Sequence, residues 1–108
     1  MEEYKKVNFD EAVARLGLSK EFLNKLINKF FDGDLLQKTE DSFNAKDMEG
    51  AKLNIHTIKG TGANLGFVGL YELALNIEIK MKEEQLDFEQ FELLKQVWVE
   101  LKEKYSSN

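Results

Sequence analysis

The chain has 108 residues, which is the length of one domain and leaves no room for a second hydrophobic core. Hydrophobic residues make up 43% of it and charged residues 32%, a balance that excludes an intrinsically disordered chain. The 15 Lys and Arg residues against 20 Asp and Glu residues give a net charge of -5, which disfavours nucleic acid and anionic membranes as partners.

The sequence also excludes several kinds of site and location. Cysteine is absent, which rules out disulfides, thiolate metal sites and thiol catalysis. The first residues lack the apolar stretch of a secretory signal, and no segment approaches the roughly 20 apolar residues that span a bilayer. We therefore expect residues 1–108 to form a single domain located in the cytoplasm.

The pattern of apolar residues and helix breakers predicts an all-α fold. Proline is absent, and the seven glycines fall mostly between segments with helical periodicity. In chain order, the predicted helices cover residues 9–16, 20–31, 35–44, 48–65, 67–82 and 88–105. Capping boxes are predicted for Asn8 with Glu11, Asp34 with Gln37 and Asp87 with Gln90, and simple N-caps for Ser19 and Asp47.

Short connections make successive helices antiparallel neighbours, and the later helices are long enough for an up-and-down antiparallel four-helix bundle. We expect one or two additional short N-terminal helices, with the first helix acting as a lid. Apolar stripes in three helices predict the core. They are Phe22, Leu23, Leu26, Ile27, Phe30 and Phe31; Phe67, Leu70, Ala74, Ile77 and Met81; and Phe88, Phe91, Leu94, Trp98, Leu101 and Tyr105.

The fourth predicted helix carries the only histidine of the chain, His56. His56 lies one residue beyond the apolar seam of this helix, and one residue rotates an α-helix by about 100°. We therefore predict that the imidazole stands on the flank of the helix and reaches solvent. The seam residues step by alternating three and four positions and are Met48, Ala51, Ile55, Ile58, Gly62 and Leu65.

The neighbours of His56 on this flank form a predicted docking surface. Lys52 lies one turn before His56, Lys59 and Gly60 lie one turn after it, and Ala63 lies one turn further on. Glycine inside a helix costs roughly 1 kcal/mol relative to alanine, so something should compensate for it. We interpret Gly60 as clearance for the backbone of a partner, whereas close helix packing would account for Gly62 on the seam.

This arrangement favours phosphoryl chemistry. A neutral imidazole is a nucleophile, and a phosphoryl group in a loose transition state needs positive charge nearby, which Lys59 can supply. The spacing alone leaves a surface histidine without any role as an equally good interpretation.

Two segments match known motifs. His56-Thr57-Ile58-Lys59-Gly60 is an H-x-x-K-G sequence, and Ala63-Asn64-Leu65-Gly66 follows it as A-N-L-G. In these segments the chain resembles the histidine-containing phosphotransfer domains, and Leu70 and Ile77-Glu78 match L and L-E positions of that family. Two departures affect packing more than chemistry: Ile55 replaces a small residue, and Thr61-Gly62 replaces a commoner Ser-Ala pair.

The resemblance covers most of the chain and implies a phosphocarrier rather than an enzyme. His56 would accept a phosphoryl group from the aspartyl phosphate of a response-regulator receiver domain and pass it to another receiver. Lys59 would steady the negative charge, and Gly60 would leave room for the receiver. No cofactor is expected on this chain, Mg²⁺ is expected on the receiver, a hybrid histidine kinase is a further candidate partner, and a monomer is expected.

Two alternatives stay open. The phosphoryl-accepting domain of a chemotaxis-type histidine kinase has a similar histidine segment and would need a kinase core elsewhere. A non-covalent helical adaptor would leave His56 incidental. An autonomous enzyme is disfavoured, because one histidine cannot build a multi-histidine metal site and no P-loop is present. Since no catalytic domain follows the sixth predicted helix, we expect a standalone relay or an excised module.

Overall fold

The computed structural model describes residues 1–106, which fold into helices joined by short connections. A 3-10 helix (Glu2–Lys5) precedes six α-helices, which are α1 (Phe9–Leu16), α2 (Lys20–Asp32), α3 (Leu35–Asn44), α4 (Met48–Asn64), α5 (Val68–Lys82) and α6 (Phe88–Tyr105). No strand occurs within residues 1–106. The all-α prediction is confirmed, and each predicted helix is present with its ends shifted by at most one residue.

Side-chain caps determine where four of the helices begin. Asn8, Ser19, Asp47 and Asp87 each accept a hydrogen bond from the backbone N–H three residues on, at 3.0–3.2 Å. Each of these bonds satisfies a donor that the first turn of a helix would otherwise leave free. These four N-caps are confirmed.

The reciprocal halves of the predicted capping boxes do not form. Glu11 instead binds Arg15 at 2.9 Å, and Gln90 Oε1 has no hydrogen-bond partner among residues 1–106. Asp34 makes no capping bond, because its backbone (φ -97°, ψ 12°) is not extended as a capping residue requires. Gln37 bonds to a carboxylate one turn further along the helix instead. The Asp34–Gln37 capping box was therefore a wrong prediction.

Helices α2 and α3 lie end to end along α6 rather than side by side. The rings of Phe30 and Phe31 in α2 have centroids 4.8 and 4.9 Å from that of Trp98. Phe43 in α3 stacks on Phe91 at 4.2 Å, near the other end of α6. Lys20 at the start of α2 lies beside Phe9, whose ring centroid is 5.0 Å from that of Tyr105 at the end of α6. Both helices thus run antiparallel to α6. The prediction that each short connection reverses the chain is wrong between α2 and α3, because a short break can also let the chain continue forward.

The four-helix bundle is therefore formed by the α2–α3 pair, α4, α5 and α6. The predicted stripe of α5 is fully buried, as is the seam of α4 except for half-buried Met48. Phe22 and Phe88 were predicted in the core but are 48% and 43% exposed. Each lies in the first turn of its helix, at an end of the bundle where fewer helices can cover it. Leu26 and Tyr105 are half-buried at the edge of the core.

Helix α1 and the segment before it cover the end of the bundle where α4 gives way to α5. The Asn8 N–H donates to the Gly66 carbonyl at 2.8 Å, and the Gly69 N–H donates to the Lys6 carbonyl at 3.0 Å. A Cβ atom at Gly69 would lie 2.4 Å from the backbone of Tyr4, so only glycine allows this approach. The ring of Phe9, the first residue of α1, packs edge-on against Phe67 at 5.4 Å, and Ala12 of α1 is fully buried, so α1 is the predicted lid. Within residues 1–106, no helix is both long and apolar enough to cross a membrane.

Candidate functional site

Helix α4 has a buried seam and an exposed flank, and His56 lies on the flank. Ala51, Ile55 and Ile58 of the seam have no exposed surface, and α5 is the main neighbour of α4. The His56 side chain is 69% exposed. The predicted outward position of the imidazole is confirmed, because the one-residue offset from Ile55 turns His56 away from the core.

Glu78 of α5 holds the imidazole from one side. The Nδ1 atom of His56 lies 3.2 Å from Oε2 of Glu78. Because an ionised carboxylate can only accept a hydrogen bond, the neutral imidazole must carry its proton on Nδ1. No group within residues 1–106 hydrogen-bonds to Nε2. The lone pair of Nε2 is therefore free on the exposed side of the ring.

Lys59 completes a network of three residues. Its Nζ atom lies 2.6 Å from Oε1 of Glu78, and the two side chains are only 19% and 18% exposed. Burial alone would raise the pKa of Glu78, but hydrogen bonds from Lys59 and His56 outweigh burial and hold its pKa below the ordinary value of 4.5. Glu78 is therefore ionised at neutral pH. Lys59, predicted to face a phosphoryl group, directs its charge at Glu78 in this structure.

The contact between Glu78 and His56 was not predicted from the sequence, where Glu78 was noted only as part of a family motif. The residue pattern does contain a signal for it. Glu78 follows the buried Ile77 by one position, as His56 follows the buried Ile55. Because α4 and α5 are neighbours, equal offsets from their buried seams bring both side chains to the same groove.

The two glycines in the second half of α4 have different surroundings. A Cβ atom at Gly60 would meet nothing within 4 Å in residues 1–106 outside its own helical turns, so the surface above Gly60 is open. Gly62 is buried against Leu70, where a Cβ atom would lie 3.5 Å from Leu70 Cδ2 in ordinary contact. The open surface at Gly60 agrees with the predicted clearance, and the packing at Gly62 still leaves room for a methyl group.

The remaining predicted docking residues lie on either side of His56. Lys52 is 3.7 Å from Glu84, and Ala63 is half-buried with its carbonyl accepting a bond from Arg15 of α1 at 3.3 Å. The same carbonyl also accepts a hydrogen bond from the Gly66 N–H at 3.2 Å, so Arg15 adds a second donor at the end of α4. The flank was predicted to be basic, but Glu78 and Glu84 balance part of its charge.

The arrangement presents one nucleophilic nitrogen backed by a carboxylate. A carboxylate on the opposite nitrogen orients an imidazole and stabilises positive charge that develops on the ring. No group of three or more His, Asp or Glu side chains within residues 1–106 is arranged to hold a metal ion.

Comparison with known proteins identifies the family. A family model described as the Hpt domain matches residues 26–104, a span that contains α3, α4, α5, all of α6 except its last residue, and the His56–Glu78–Lys59 network. No match was found among curated proteins or among solved structures. Because the matched span covers most of the 108 residues, the chain belongs to the Hpt domain family, whose members are phosphocarriers in histidine phosphotransfer of two-component systems and interact with response-regulator receiver domains.

Proposed function

We propose that this protein is a phosphorelay intermediate that accepts a phosphoryl group on His56 from the aspartyl phosphate of one receiver domain and passes it to another. The observation that carries the proposal is the state of the imidazole. Its side chain is 69% exposed, Nδ1 is bonded to Glu78, and Nε2 is free of partners within residues 1–106. Such a ring offers one nitrogen, in one tautomer, to a partner protein.

Phosphoryl transfer to His56 needs no additional acid or base to supply or remove a proton. The Nε2 lone pair attacks phosphorus, the bond from phosphorus to the aspartate oxygen breaks, and the aspartate leaves as a carboxylate. The proton stays on Nδ1, so the phosphorylated ring carries positive charge. The Glu78 carboxylate, 3.2 Å from Nδ1, stabilises that charge. Transfer to a second receiver follows the same steps in reverse.

The neighbouring residues have supporting roles in this proposal. Lys59 holds Glu78 in its ionised form and adds positive charge one helical turn from the phosphoryl group. Gly60 leaves space for the backbone of the receiver, with Lys52 and Ala63 at the edges of the contact. The proposal assigns no cofactor to this chain, and the Mg²⁺ ion of the reaction belongs to the receiver domain.

The direct experiment mixes the protein with a phosphorylated receiver domain and measures acid-labile label on the bundle. We expect label on the wild type and none on His56→Gln. The variant should unfold at the wild-type temperature, because the replaced side chain is mostly exposed. Label that persists on His56→Gln would contradict the proposal, and an unlabelled wild type would favour the non-covalent adaptor.

A further inference from the structure

Helix α5 carries a second row of residues on the face opposite its buried stripe. The buried stripe steps by alternating four and three residues through Leu70, Ala74, Ile77 and Met81. Four other residues each precede one of these by two positions, and two positions rotate an α-helix by about 200°. They therefore point away from the core. Together with the next residue at this spacing they form the outward row of α5, which is Val68, Glu72, Leu75, Ile79 and Lys82.

The apolar members of the outward row are in contact with solvent. Val68 and Ile79 are 41% and 47% exposed, and Leu75 between them is half-buried. Single exposed apolar side chains are common on protein surfaces. Three of them on one face of a helix, seven and four positions apart, follow the spacing by which two helices pair. The outward row is therefore a helix-pairing face that no helix within residues 1–106 covers.

The charged members of the outward row have no partners of their own. Glu72 and Lys82 are both exposed, and neither makes an ion pair within residues 1–106. Glu72 lies before Leu75 and Ile79 in the chain, and Lys82 lies after them. The apolar centre of the row thus has a free negative charge on one side and a free positive charge on the other.

We infer that the outward rows of two copies of this chain pair with each other in an antiparallel dimer. Leu75 and Ile79 lie two positions either side of Ile77, and Glu72 and Lys82 lie five positions either side of it. A two-fold axis at the level of Ile77 therefore places Leu75 opposite the Ile79 side chain of the second copy. The same axis places Glu72 opposite Lys82 of the second copy, twice over. One surface is then complementary to itself in both shape and charge.

Charge also selects this register over its neighbour. A two-fold axis at the level of Leu75 would give a longer overlap of the two helices, but it would place Glu72 opposite Glu78. Like charges facing each other disfavour a contact. The register centred on Ile77 turns both free charges of the row into ion pairs.

The dimer is expected to be weak. Residues 72–82 of two helices bury less surface than the roughly 1,200–2,000 Å² of a stable, specific interface. The monomer expected from the sequence is therefore the form at low concentration, and the dimer forms as the concentration rises. The inference does not depend on the proposed function, because it uses no property of His56.

Sedimentation equilibrium tests the dimer, with concentrations from roughly 1 µM to 1 mM to cover weak association. The average mass of the wild type should rise towards that of two chains. Ile79→Asp should remain a monomer at every concentration, because it places a charge in the apolar centre. Val99→Asp, a matched change at a 48% exposed site on α6, should associate as the wild type does. A wild type that stays monomeric throughout, or an Ile79→Asp variant that still associates, would overturn the inference.

Exchanging the two charges tests the antiparallel register. Glu72→Lys alone and Lys82→Glu alone each place like charges opposite each other, so each should weaken association by roughly tenfold at low salt. In an equal mixture of the two variants, one chain carries only lysine and the other only glutamate at these positions. The mixture should therefore associate about as well as the wild type. A mixture that associates no better than either variant alone would overturn the antiparallel pairing.

Discussion

Among the Lys–Glu pairs described within residues 1–106, one joins α4 to α5 and another joins α3 to α6 at similar burial, and only the first has a histidine beside it. Lys59 of α4 meets Glu78 of α5, with 19% and 18% of the side chains exposed. Lys95 of α6 meets Glu40 of α3, with 24% and 31% exposed. The pairs use the same chemistry to join helices. A half-buried ion pair is thus part of the scaffold in either place, and the imidazole on Glu78 is what adds a reactive group.

The two helix pairs also differ in their glycines. Helix α4 contains Gly50, Gly60 and Gly62, and α5 contains Gly69, whereas α3 and α6 contain none. Each glycine inside a helix costs roughly 0.5–1 kcal/mol relative to alanine. The loss of helix stability is therefore concentrated in the pair that carries His56. Only at Gly60 does the loss go with open surface, because Gly69 allows the close approach of Tyr4 and Gly62 packs against Leu70.

The largest difference in phosphotransfer rate should appear when the carboxylate of one ion pair is replaced and compared with the same change in the other pair. Glu78→Gln keeps a hydrogen-bond acceptor for Nδ1 but loses the charge, so we expect phosphotransfer to fall by about 10- to 100-fold, the worth of one charged hydrogen bond. Glu40→Gln should leave transfer unchanged. Single-turnover transfer from a phosphorylated receiver measures both. Equal rates in the two variants would show that Glu78 is only structural.

Replacing the lysines should have a smaller effect. Lys59→Ala removes a charge that acts on His56 largely through Glu78, so we expect transfer to fall by about tenfold or less. Lys95→Ala should not slow transfer. Both variants should remain folded and lose no more than about 1 kcal/mol of stability for each partly exposed ion pair removed, which is one pair for Lys59 and two for Lys95. Urea unfolding checks the stability, and a Lys95→Ala variant that transfers slowly would break the comparison.

Much of this site could be predicted from the sequence, because helical periodicity determines which way a side chain points. The one-residue offset of His56 from Ile55 was enough to predict its exposure. The contact with Glu78 depends on how α4 and α5 align, which no pattern within one helix reports. The direction of the chain between α2 and α3 could not be predicted for the same reason. The break is visible in the sequence at Gly33, but the angle between the two helices depends on their packing against α6.

Two glycines of α4 can distinguish access of the receiver domain to the surface from packing between helices. Gly60→Gln and Gly62→Ala should both raise the free energy of unfolding, by up to about 1 kcal/mol, because both replace glycine in a helix at sites with enough space. Only Gly60→Gln should slow receiver-dependent transfer, since its side chain would occupy the open surface. Transfer kinetics and urea unfolding of the two variants separate these effects. Normal transfer in Gly60→Gln would remove Gly60 from the docking surface.

The smallest expected effect is a difference in pH dependence between the two ion pairs. The pKa of Glu78 lies below its ordinary value of 4.5, so its contribution to stability is complete above that pH and is lost as pH falls through the folded-state pKa. The hydrogen bonds from Lys95 to Glu40 and Glu92 raise the pKa of Lys95 above its ordinary value of 10.5. Its contribution is therefore complete below that pH and is lost as pH rises through the folded-state pKa.

Urea unfolding of the wild type across the pH range should thus lose stability at both ends. In a plot of the free energy of unfolding against pH, Glu78→Gln should reduce only the loss of stability at acid pH, because it removes the carboxylate whose pKa is lowered. Lys95→Ala should reduce only the loss of stability at alkaline pH. If Glu78→Gln lost as much stability at acid pH as the wild type, the network of Glu78 with Lys59 and His56 would contribute nothing to folding. The ion pair of α4 and α5 would then differ from that of α3 and α6 in stability as well as in chemistry.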